Sequence, residues 1–218
     1  MLDRDADGVS RSAGAAARRR PNARGPGTML VDGILPGLPA ARIRAALAAA
    51  PGNELASGKF LSPRSSSALA ANAFGLFLED PGRLPPIPGC EDLGWPAASL
   101  RLEAVLRFPW HGGRHPCLDV LVETETALIG IESKRFEPFG TTKRPALSEA
   151  YWRPEWGPGM TRHEAMRDRL RSRAAAFSMM AAPQLLKHAL ALRTEVRRAG
   201  TASPKRPVLL YVFAEPTH

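Results

Sequence analysis

Apolar and polar positions alternate through "SLRLEAVLRFPW", where Leu100, Leu102, Ala104, Leu106 and Phe108 recur every second residue until Pro109 interrupts. That period is the pattern of a half-buried strand. Residues 117–124 and 127–134 are rich in Val, Leu and Ile and flank Glu125-Thr126, which predicts a hairpin of two further strands. "PVLLYVFAE" near the C-terminus predicts a fourth strand.

Helical spacing takes over elsewhere. "LPAARIRAALAAA" places Leu38, Ile43, Ala46 and Leu47 on one face and ends at Pro51-Gly52. "SPRSSSALAANAFGLFLED" predicts a second helix, with Ser62 as N-cap, Pro63 in the first turn and an apolar face of Leu69, Phe74, Phe77 and Leu78. Later, "RHEAMRDRLRSRAAAFSMMA" and, after Pro183, "QLLKHALALRTEVRRA" predict helices, the last closed by Gly200. Residues 81–96 form a Pro/Gly connector, and 136–159 a long loop holding Tyr151, Trp152 and Trp156. The order is helix, three strands, helix, strand, without internal repeats.

Composition changes this picture in three places. Residues 1–28 lack apolar periodicity and are expected to form a disordered basic tail, leaving 29–218 as a single domain. The tail has no apolar secretory core, and no apolar run reaches membrane-spanning length, so a soluble cytoplasmic protein with no membrane partner is expected. The formal charge of +9 favours a polyanionic partner such as nucleic acid. The two cysteines, Cys90 and Cys117, exclude a disulfide framework and are expected to fill apolar space.

The chemistry lies in the predicted hairpin. With the turn at Glu125-Thr126, Thr124 pairs with Ala127, and the same register sets Asp119 opposite Glu132. Directly opposed strand residues have Cβ atoms about 5 Å apart, and two like charges at that distance repel unless a cation lies between them. Lys134 shares their face, two residues beyond Glu132. Two carboxylates and an ammonium suit phosphodiester hydrolysis, with Mg²⁺ or Mn²⁺ held by Asp119 and Glu132 and Lys134 as the catalytic cation. The bland alternative is an exposed hairpin face with a weak ion pair.

The residues "PCLD" (Pro116, Asp119) followed by "ESK" (Glu132, Lys134) resemble the PD-(D/E)XK nuclease superfamily, in its restriction-endonuclease-like bacterial branch. The resemblance implies an α/β fold with an αβββαβ core: a three-stranded antiparallel meander with the acid on its second strand and E-x-K on its third, then a helix and a fourth strand. It also implies a magnesium-dependent endonuclease-like hydrolase acting on DNA, with RNA left open and a homodimer allowed. "QLLKH" resembles the polar motif that some of these nucleases carry on the helix after the meander, which adds Gln184 to the catalytic set and Lys187 to the nucleic-acid contacts. A further acid from the early helical region commonly completes such a site. Glu54 is the first choice as that metal ligand and Glu103 the second.

Lys143 and Arg144, beside the loop aromatics, are further candidates for phosphate contact, although aromatics in such a loop more often pin it to its own core. His111, His115 and Cys117 lack the spacing of a zinc site. Ser65, Ser66 and Ser67 suit helix capping, with no paired histidine to make a nucleophile. The chain stops three residues past Glu215, so a truncated, non-catalytic nucleic-acid-binding relic is the first alternative. An interaction protein whose hairpin acids meet a basic partner is the second.

Overall fold

The computed structural model describes residues 32–135, 147–172, 177, 180–200 and 205–213. The predicted tail lies outside them, as do Lys143 and Arg144. The architecture is α/β: a four-stranded mixed sheet in the order β1-β2-β3-β4, with helices on both faces. The strands are β1 (Ser99–Val105), β2 (Cys117–Glu123), β3 (Ala127–Lys134) and β4 (Arg206–Phe213). The first three form an antiparallel meander, and β4 pairs in parallel with β3. One face carries α1 (Ala40–Ala49) and α2 (Ser66–Phe74), the other α4 (Ala182–Arg198), which packs on α3 (Thr161–Arg171).

The hairpin register follows the sequence reading. Glu123 faces Leu128 and Val120 faces Ile131, and the Thr124 N–H donates to the Ala127 carbonyl at 3.0 Å across the Glu125-Thr126 turn. The connector before β1 buttresses this turn. Glu125 N donates to the Gly94 carbonyl at 3.1 Å, and the Thr124 hydroxyl to that of Leu93. A Cβ at Gly94, whose φ is +69°, would lie 2.9 Å from the Thr126 nitrogen, so this approach requires glycine.

Two expectations are corrected. The second helix begins at Ser66 with Ser65 as N-cap, its hydroxyl accepting the Ala68 N–H at 3.0 Å, rather than at Ser62 and Pro63. Ser62 instead ends a 3₁₀ turn over Lys59–Leu61 that the buried Phe60 anchors, and its hydroxyl accepts the Arg64 N–H. The apolar alternation of β1 also does not fill one face. Leu100 and Leu102 pack with the α1/α2 cluster, whereas Ala104, Leu106 and Phe108 pack with the α4 cluster. Between the two sets Glu103 adopts a left-handed backbone (φ +48°), rare for a residue with a Cβ, and the strand changes face there.

The two buried faces explain why β3 is apolar from Ala127 to Ile131. Ala127, Ile129 and Ile131 enter the α1/α2 cluster, and Leu128 enters the α4 cluster. A Cβ at Gly130 would meet Leu118 Cδ1 at 2.7 Å and Leu192 Cδ1 at 2.9 Å, so its bareness lets α4 lie close to the sheet beside Glu132.

Candidate active site

Three neighbouring strands bring three acids into one row. The pairs Leu102 with Val120 and Ala104 with Leu118 bracket Glu103 and Asp119, the β2–β3 pairing runs up to Val120 and Ile131, the residues next to Asp119 and Glu132, and the charge of Asp119 acts on both glutamates. At that point the Asp119 carboxylate replaces a ladder bond by accepting the Ser133 N–H at 2.7 Å. The row begins where β1 changes face.

Glu132 is the centre of the site. It is 2% exposed, which contradicts the exposed-face alternative. Lys134 Nζ pairs with its Oε1, and Gln184 Nε2 donates to the same oxygen at 2.7 Å. His188 Nδ1 stands 3.2 Å from Oε2, but the two atoms are not aligned for a hydrogen bond and neither has another partner among the described residues. Burial first, then the charge of Asp119, pushes the Glu132 carboxyl up to about 8 against the pull of Lys134. Burial likewise pulls the His188 imidazole down to about 3, with Lys134 and Lys187 adding to the effect. At neutral pH a neutral imidazole therefore faces a carboxyl oxygen, and that contact calls for a proton or a cation between them.

Glu103 is pushed up to about 7 by burial and by Asp119, with smaller help from Glu54. The Cys117 thiol, 3.4 Å from Glu103 Oε2, donates to it. Burial and that carboxylate raise the thiol well above its ordinary range, so it stays protonated. Cys90 fills apolar space as expected, whereas Cys117 is a polar partner of the acid row. Its place two residues before Asp119 on one strand was the available signal.

Glu54 sits with Lys59, Arg64 and Ser65–Ser67 around a polar cleft of about 260 Å³, and its charge acts on Glu103. Both candidates for the additional acid are thus on the same side of the row. On α4, Gln184 reaches the site as expected, but its companion is His188. Residues four apart share a helix face, and a histidine among Leu186, Leu190 and Leu192 was legible as inward-facing. Lys187 instead lies 5.7 Å from the Tyr151 ring centroid. Tyr151 and Trp156 are buried in the α4 cluster, and Trp152 packs beneath Arg167 and Arg171, as the packing reading expected.

Among the described residues no three His, Cys, Asp or Glu side chains stand close enough to hold a metal ion as they are, and no helix is long and apolar enough to cross a membrane. Magnesium needs only one or two carboxylates with waters completing its shell. Asp119 and Glu132 supply that number of hard oxygen donors, and Glu132 Oε2 has no hydrogen-bond partner among the described residues. Comparison with protein-family models, curated proteins and solved structures found no match.

Proposed function

We propose that the protein is a metal-dependent phosphodiesterase acting on DNA, of the PD-(D/E)XK kind. The observation that carries this reading is the convergence on buried Glu132 of Asp119 from the neighbouring strand, Lys134 from its own strand and Gln184 from α4. The meander with an acid on its second strand and E-x-K on its third, followed by helix and strand, supports it. Asp119 and Glu132 are the residues that would hold Mg²⁺ or Mn²⁺, with Glu103 or Glu54 completing the acid set. The ion, when bound, offsets the carboxylate charges and polarises the phosphodiester.

The chain's own groups supply the rest. Gln184 and Lys134 fix the orientation of the Glu132 carboxylate by holding Oε1. Lys134 also brings a positive charge to the side of the row where negative charge builds on the attacked phosphate, which is stabilisation specific to the transition state. The raised carboxyls of Glu103 and Glu132 bear protons near neutral pH and must release them to bind a cation.

One observation favours a second reading, a non-catalytic relic of such a site. Both oxygens of Glu132 already face groups of the same chain, Lys134 and Gln184 at Oε1 and His188 at Oε2. A metal titration separates the two. The enzyme reading expects Mn²⁺ to raise the Tm of the wild type and not of Asp119→Asn, with Mg²⁺-dependent cleavage of DNA in parallel. The relic reading expects a closed site that ignores both ions.

A further inference from the structure

A second cleft, of about 890 Å³, opens between the segment after β1 and the C-terminal turns of α4. Its α4 residues lie about 14–21 Å along that helix from Gln184, at 1.5 Å per residue. Its volume is in the range of small-molecule sites. Arg107, Arg193, Arg197 and Arg198 line it beside one lining carboxylate, Glu155, and Arg198 also pairs with Glu195 at 2.8 Å, which leaves three arginines to carry the cleft's positive charge.

Helix-dipole capping explains part of this charge, since Arg197 and Arg198 occupy the last turn of α4. It does not explain Arg107, or the way the guanidiniums are fixed. Arg197 Nη1 donates to the carbonyls of Glu155 and Trp156 at 3.2 and 3.3 Å, Arg193 Nη2 to that of Pro158 at 3.2 Å, and Arg198 Nη2 to that of Arg107 at 2.7 Å. Each guanidinium has five N–H donors, so these bonds hold the groups in place without exhausting them. Arg193 Nε is buried with no hydrogen-bond partner among the described residues.

The cleft also offers an aromatic surface. Trp110 is half-buried at its wall, stacked on Phe108 with ring centroids 4.4 Å apart and planes 17° from parallel. His115, another lining residue, accepts the Phe108 N–H on Nδ1 at 3.1 Å, which leaves the proton of the neutral ring on Nε2 as a donor. Fixed positive groups for a phosphate beside an anchored indole for a planar ring are the chemistry of nucleotide recognition.

We propose that this cleft binds a nucleotide unit, its phosphate on the arginines and its base against Trp110, at a site separate from the acid row and independent of any hydrolysis there. The unit comes either from a free nucleotide or from a polynucleotide strand. The test uses the full chain in EDTA, with AMP followed by calorimetry and a fluorescein-labelled 12-residue oligothymidylate followed by anisotropy. Wild type is expected to bind at least one probe. Trp110→Leu and Arg107→Glu are each expected to weaken that binding about fivefold or more. Arg107→Glu should also flatten the salt dependence of oligonucleotide binding by about 0.7 in log–log slope. Binding of both probes with the same losses assigns a free nucleotide, and binding of the oligonucleotide alone assigns a strand. If Trp110→Leu does not fold, Arg107→Glu, at an exposed position, decides. The proposal is overturned if wild type binds neither probe, if Arg107→Glu binds as wild type does, or if Arg44→Glu, on α1 outside the cleft, weakens binding equally.

Discussion

Replacing Glu132 by Gln keeps the shape of a protonated carboxyl while removing its ability to ionise, so it isolates the electrostatics of the buried row. The Glu132 carboxyl holds its proton to about 8 in the fold, against an ordinary value of 4.5. For an acid with a raised folded pKa, the folded state binds more protons than the unfolded chain between those two values. The resulting stability is fully present below 4.5 and is lost as pH rises through 8. From pH 6 to pH 8 the loss is on the order of 2 kcal/mol. At 2% exposure, solvent screening takes little from this figure. In a domain of this size the loss corresponds to about 4–8 °C of Tm. Thermal unfolding in EDTA is therefore expected to show the gap between the wild type and Glu132→Gln widening by that amount between pH 6 and pH 8, with the two nearly equal only below pH 4.5. Titration of Glu103 is common to both proteins and largely cancels. Parallel pH profiles would show that Glu132 ionises at an ordinary pH and that the row is not electrostatically strained.

Lys134→Ala is expected to abolish DNA cleavage while leaving DNA binding within about threefold of wild type, as read by single-turnover kinetics and by anisotropy in Ca²⁺, because the ammonium acts mainly on the transition state. Equal loss of binding and cleavage would make it a phosphate anchor. Gly130→Ala is expected to cost about 1–3 kcal/mol, seen as a lower urea midpoint at unchanged m, since its new Cβ would stand 2.7 Å from Leu118 and 2.9 Å from Leu192. An unchanged midpoint would mean that α4 is not tightly seated beside Glu132.

The meander was legible because it rests on two local signals. Alternation marks β1, and an apolar pair of strands around Glu125-Thr126 fixes a register that holds from Glu123 against Leu128 to Val120 against Ile131, beside Asp119 and Glu132. Lys134 followed from the same period of two, and Gln184 came with the resemblance. The change of face at Glu103 was not legible. Alternation treats Leu102 and Ala104 as equivalent, and only a backbone of positive φ between them sends them to different clusters. The N-cap was misplaced for a related reason: Ser62 and Ser65 both suit the role, and the buried Phe60, three-dimensional information, gives it to Ser65. His188 and Cys117 were missed because each looks like filler on its own strand or helix. Their roles arise only when α4 crosses β3 and β1 lies beside β2.

Cleavage of DNA tests the central claim most directly. A supercoiled plasmid incubated with the purified full chain in Mg²⁺ is followed on agarose beside Asp119→Asn and Glu132→Gln preparations whose circular dichroism matches wild type. The account predicts nicked or linear product from wild type alone, abolished by EDTA and by either substitution. Product formed equally by both variants, or none from a wild type whose Tm Mn²⁺ raises, would contradict it.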